Sequence, residues 1–146
     1  MLLGFQERFA QAVELGLMDI NTKAAGMWRD STGFLPNVRR KRQTIRAPRK
    51  DGKVANVGDT LKIYTGLRTK KCRKLGEATC LQSSRVMVNR VAIFVFADDG
   101  QSARQYFREE ADEFARDDGF KDFAELRAWL DKTHGQGQFR GQLYRW

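Results

Sequence analysis

Between residues 43 and 96 the chain is cut into short apolar runs, each stopped by a turn signal before a helix could develop. Gln43-Thr44-Ile45-Arg46 is closed by Pro48, and Lys50-Asp51-Gly52-Lys53 follows as a turn. Gly58-Asp59 precedes Thr60-Leu61-Lys62-Ile63-Tyr64-Thr65, whose strict alternation predicts a half-buried strand with Leu61 and Ile63 inward. Lys74 to Ser84 reads as one further strand region. Arg85–Val88 and Val91–Phe96, β-branched and aromatic, read as two more, ended by Asp98-Asp99-Gly100. Successive short strands favour antiparallel pairing, and a small curled sheet or barrel flanked by helices accommodates them.

The flanks carry the helical period. Phe5, Phe9, Ala12 and Val13 predict an amphipathic helix over about residues 4–15, with Gly16 as its stop. From Leu17 to Val38 the periodicity is lost among turn formers, although Met27, Trp28, Phe34 and Leu35 are apolar; a packed or functional loop is expected. Ser102 followed by Gln105 fits a capping box opening a helix with Ala103, Phe107, Ala111 and Phe114 on one face, and Gly119 suits its left-handed cap. Phe120, Phe123, Leu126, Trp129 and Leu130 define another helix ending before Gly135, and residues 138–146 have the spacing of a closing strand. The fold class expected is α+β in a single domain over residues 1–146.

A chain of 146 residues with 41% apolar and 11% aromatic side chains can bury one core without staples. No apolar run approaches the roughly 18 residues of a membrane span. The short apolar start is followed at once by Glu7, unlike a signal peptide, so a cytoplasmic protein without a membrane partner is expected. Cys72 and Cys80 with one histidine, His134, cannot complete a zinc site, so no metal or other cofactor is expected. The thiols read as free and His134 as structural or exposed. The net charge of +9 is divided unevenly, +12 over residues 1–97 and −3 over residues 98–146. A basic first part points to a phosphate-bearing partner.

That charge is densest in Arg39-Arg40-Lys41-Arg42-Gln43-Thr44-Ile45-Arg46-Ala47-Pro48-Arg49-Lys50. One reading is a solvated basic run. The other is a strand holding Thr44 and Arg46 on one face, with Lys41 close by, at the mouth of a pocket for an anionic or polar ligand.

Taken in order, Phe5, Phe9 and Gly16, then Lys41-Arg42-Gln43-Thr44-Ile45-Arg46, then Gly58-Asp59-Thr60-Leu61-Lys62-Ile63-Tyr64 and the basic loop after it resemble the ASCH domain family, a branch of the PUA-like β-barrels. The family's Gly-x-Lys-x-x-Thr-x-Arg pattern is met by Lys41, Thr44 and Arg46. Its glycine is not, since position 39 is arginine and Gly16 lies far upstream, so residues 17–38 look like an insertion. The resemblance implies a five- or six-stranded antiparallel barrel, flanked by one N-terminal and two C-terminal helices, with a cleft between barrel and helices and a role with RNA or nucleosides. One bacterial branch hydrolyses N4-acetylcytidine to cytidine and acetate with a lysine, a threonine and a glutamate. Lys41 and Thr44 take the first two positions, and aligning residues 114–120 puts Asp118, one carbon shorter, at the third.

Three functions stay open at this point. An amidohydrolase would use Thr44 as nucleophile or as holder of a water, Lys41 as base, and Asp118 to orient it. The base role needs a lysine pKa well below about 10.4, which the neighbouring arginines favour. In a regular strand positions 41 and 44 face opposite ways, so Lys41 must lie in a bend before the strand. A binding module would instead track an RNA backbone with Lys41, Arg42, Arg46, Arg68, Lys70, Lys71 and Arg73, with Tyr64 or Trp28 stacking on a base. A ribonuclease would stabilise the transition state with the same cations but lacks a histidine pair.

Overall fold

The computed structural model describes residues 1–18 and 39–146. The loop expected over 17–38, Trp28 included, falls outside them apart from Leu17 and Met18, which end a helix. The described fold is α+β, with eight strands in two sheets and three α-helices.

The first sheet has the order β1-β3-β4, with β1 Leu2–Phe5, β3 Thr60–Thr65 and β4 Arg73–Thr79. The second has the order β2-β8-β5-β6-β7, with β2 Gln43–Arg46, β5 Gln82–Val88, β6 Ala92–Phe96, β7 Ala103–Phe107 and β8 Phe139–Arg145. The second sheet is antiparallel throughout, whereas β1 runs parallel to β3. Among the described residues the two sheets are separate ladders and no closed barrel is formed. The count of eight strands exceeds the five or six expected.

The extra strands come from two places where strand pairing overrides a helical reading. Leu3 and Phe5 are buried while Leu2 is exposed, and they pair with the buried Ile63 and Thr65 of β3. The expected helix over 4–15 is therefore a strand, a 3₁₀ turn at Glu7–Phe9 and helix α1, Ala10–Met18. Gly16 does not stop α1; a β-carbon there would run into the carbonyl of Lys41, so glycine lets the helix lie against that peptide. Likewise Ser102 caps no helix. Its hydroxyl bonds Asp99 at 2.6 Å, and Ala103–Phe107 pairs as an edge strand with β6. Helix α2 is confined to Arg108–Asp117. The break expected between Ser84 and Arg85 falls instead at Cys80 and Leu81, so that residues 82–84 join the expected 85–88 strand in β5.

Other expectations hold. Leu61 and Ile63 of β3 are fully buried. Helix α3, Phe123–His134, opens on Asp122, whose side chain accepts from Glu125 N at 2.8 Å. The core joins Phe9 and Val13, Val86 and Val88, Phe114, Leu126 and Leu143 in one cluster. Cys72 is exposed and Cys80 buried, both as free thiols. Among the described residues no helix is long and apolar enough to cross a membrane.

Candidate active site

Helix α2 ends as the sequence predicts, and that ending builds the site. Gly119 takes φ 86°, Gly119 N bonds Arg116 O at 2.9 Å and Phe120 N bonds Ala115 O at 3.0 Å. This is the Schellman pattern, which leaves Asp118 as the C-cap. A β-carbon on Gly119 would lie 3.0 Å from Phe9 Cδ1 and 3.2 Å from Lys41 Cδ. The missing side chain is therefore what admits the lysine stem beneath the helix end.

Lys41 comes from the other side. Its backbone N donates to Ala12 O of α1 at 2.8 Å, two residues before β2 begins. It thus lies before the strand, outside its alternation, and Lys41, Thr44 and Arg46 all line one cleft with Asp118. Its ammonium donates to both the carboxylate Oδ1 and the backbone carbonyl of Asp118. The nitrogen also lies 5.2 Å from the centre of the Phe9 ring and 5.5 Å from that of Phe5. A cation at the C-terminus of a helix is favoured by the helix dipole as well. The second carboxylate oxygen of Asp118 accepts from Ile45 N at 3.1 Å, which ties the outer edge of β2 to the same residue.

Lys41, Thr44 and Asp118 are 2%, 4% and 3% exposed, so these polar groups form a dry floor. Burial pushes the Lys41 amine down to about 8, against the opposing pull of Asp118, with Arg46 and Arg8 adding to the depression. Burial also raises the Asp118 carboxyl, against Lys41, the Ile45 amide and Arg46. Both shifts have the sign of a charge pair moved out of water, where the neutral forms gain. Arg46 lies over the Phe5 ring at 4.4 Å; its Nε and Nη2 are buried with no hydrogen bond among the described residues. Burial lowers its pKa as well, although a guanidinium keeps its charge.

The remaining residues of the basic reading part company. Lys71 and Arg73 line the cleft at its rim, and Arg73 is tied to Glu14 at 2.5 Å and Glu7 at 3.6 Å. Arg68 and Lys70 stand exposed on the same loop outside the cleft lining, Arg68 with φ 69°. Arg42 faces a second, smaller cleft with Arg39, Arg145 and Trp146. Tyr64 is half-buried on the face of β3 opposite Leu61, Ile63 and Thr65 and does not line the cleft. Its place on the outer face follows from the same alternation that buries its neighbours.

One wall escaped the sequence reading. Rings of Phe9, Phe120, Trp129, His134 and Phe139 succeed one another at centroid spacings of 5.4, 5.7, 5.8 and 5.0 Å. Trp129, Thr133 and His134 of α3 line the main cleft. His134, remote from Lys41 in sequence, is exposed on that wall. The spacing of Trp129 and Thr133, one helical turn apart, was the available signal, but Trp129 read only as core. Among the described residues no three His, Cys, Asp or Glu side chains are grouped to hold a metal ion.

Comparison with family models, with curated proteins and with solved structures finds no match to this chain.

Proposed function

We propose that the chain is an ASCH-like, PUA-related domain that binds a nucleoside or RNA and hydrolyses an amide on a modified base, with N4-acetylcytidine as the type substrate. In this reading the two sheets are the opposed walls of a PUA-like barrel. The observation that carries it is the buried Lys41–Asp118 pair, with buried Thr44 lining the same cleft.

The roles follow from the chemistry of the three groups. With its pKa near 8, the Lys41 amine is neutral in on the order of one molecule in ten at pH 7. The neutral amine takes the Thr44 hydroxyl proton as the threonine oxygen bonds the acetyl carbon. Arg46 or a backbone amide balances the oxyanion. The C–N4 bond then breaks as the Lys41 ammonium returns the proton to N4, releasing cytidine and leaving an acetyl ester on Thr44. Water adds to that ester, Lys41 again takes and returns a proton, and acetate leaves. If Thr44 instead holds the water, the water adds directly and the ester is bypassed. Asp118 positions Lys41 and keeps its charge tolerable in either route.

Incubating the protein with N4-acetylcytidine and following cytidine release tests the proposal. Lys41→Ala is expected to lower the rate by roughly 10²–10⁴, the usual worth of a positioned acid–base group. Absence of turnover by the parent protein, or an unchanged rate in the variant, refutes it. The second reading, a non-catalytic RNA-binding module, draws on the fact that both hydrogen bonds of the Lys41 ammonium among the described residues go to Asp118. There the pair serves only to join β2 to α2, and RNA binds without being consumed.

A further inference from the structure

The cleft is larger than one nucleoside needs. Its volume is about 1590 Å³, against roughly 300–1,000 Å³ for ordinary small-molecule sites. The reactive floor occupies one part of it. From that floor the ring series leads away: Lys41 Nζ touches Phe9, Phe9 meets Phe120, Phe120 meets Trp129, and Trp129 meets His134. Phe9, Phe120 and Phe139 are buried and act as backing, whereas Trp129 is half-buried and His134 exposed. The outer members of the series therefore offer ring surface to a ligand, and Arg140, exposed beside Phe139, adds a cation to the same cleft.

We propose that the Trp129–His134 wall is a second, ring-binding subsite that holds a neighbouring nucleobase of a single-stranded RNA while the reacting nucleoside occupies the Lys41 floor. The proposal rests on the nucleoside reading above and extends it from a free nucleoside to a unit within a strand. A planar base gains its contact from the faces and edges of Trp129 and His134, and the linking phosphate from Arg140. Stacking of this kind tolerates any base, because every base has a π-face. The subsite therefore confers preference for chain length and little for the sequence of the neighbour.

The test is binding, read by calorimetry with cytidine and with the trinucleotide CpCpC, neither of which is consumed by deacetylation. The parent protein is expected to bind CpCpC about tenfold or more tightly than cytidine. His134→Ala and Trp129→Leu are each expected to remove most of that advantage while leaving cytidine affinity within about twofold. His134 is exposed, so its variant keeps the answer available if Trp129→Leu fails to fold. Equal affinity for the two ligands, or an advantage that both folded variants retain, overturns the subsite. Failure of N4-acetylcytidine turnover with the stacking advantage intact would refute the hydrolase reading alone.

Discussion

Lys41 and Lys70 are the same side chain in two settings. Lys41 is 2% exposed, wedged between Phe5 and Phe9 and bonded to Asp118. Lys70 stands in water on the loop between β3 and β4. Burial, more than local charge density, separates the two. Water screens the rim charges from one another, so their worth lies in attracting a polyanion. The floor lacks that screening, so each charge there alters the protonation of the next. The cleft thus divides one basic composition into a part that can do acid–base chemistry and a part that can only collect ligand.

The largest expected effect of breaking this contrast is on the floor. Lys41→Ala leaves the Asp118 carboxylate buried without its partner, a class of change that costs about 3–5 kcal/mol. Urea unfolding at neutral pH measures it, alongside the loss of turnover. Lys70→Ala under the same conditions is expected to leave the unfolding midpoint where it was. If the two substitutions cost the same, the floor is not the dry environment described.

Asp118→Asn sharpens the contrast through pH. The Asp118 charge holds the Lys41 value up against burial and against Arg46 and Arg8. Without it those effects act unopposed, so the rising limb of kcat/KM is expected to move from about pH 8 to lower pH, even as the maximum rate falls. The parent's stability carries the matching sign. Lys41 is depressed from 10.5 to about 8, so between those values the unfolded chain holds a proton that the folded chain has released. The contribution of this group to stability is therefore expected to rise with pH across that window. An unmoved limb in Asp118→Asn would mean that another group sets the profile.

Much of this site was legible in sequence, but unevenly. Thr44 and Arg46 share a strand face because their spacing is two, and the strand is marked by Ile45 and closed by Pro48. Asp118 was placed by the family resemblance alone, whereas Gly119 marked the end of the helix that it caps. The packing that brings Lys41 to the same cleft has no local signature; it depends on Ala12 and Gly16 of a helix across the 19–38 segment. The misreadings have one cause. Phe5 and Phe107 both fit a helical face, and only pairing with β3 and β6 selects the strand. The aromatic wall was hidden for a related reason. A tryptophan at helical spacing reads as core, and its half-exposure follows only from where α3 meets β8.

A smaller effect is expected where the floor is shaped without being charged. Gly119 sits at φ 86° with no room for a β-carbon between Phe9 and Lys41. Gly119→Ala is expected to cost roughly 1–3 kcal/mol, the usual range for a forced left-handed residue or an overpacked site. Because the strain falls on the C-cap of α2, it is also expected to lower turnover through a misplaced Lys41–Asp118 pair. Thermal unfolding and kcat measured together show whether both move. Destabilisation with unchanged kcat would mean that the helix end and the reactive pair are not coupled.

The smallest expected effects belong to the rim, and they are visible only as salt dependence. For a single-stranded ligand the logarithm of affinity falls against the logarithm of salt by about 0.7 per phosphate contact. Lys70 and Lys71 make no ion pair among the described residues, whereas Arg73 is already engaged by Glu7 and Glu14. Replacing Lys71 with Gln is therefore expected to lower the slope by about one contact's worth in a titration with oligocytidylate. Replacing Arg73 is expected to lower it less, because its charge is largely spent on acids of α1 and the 3₁₀ turn. Lys70, outside the cleft lining, is expected to fall between zero and one contact. Should Arg73 prove the strongest of the three, the acids must release it when ligand arrives, and the rim would be a set of exchangeable ion pairs instead of a fixed field.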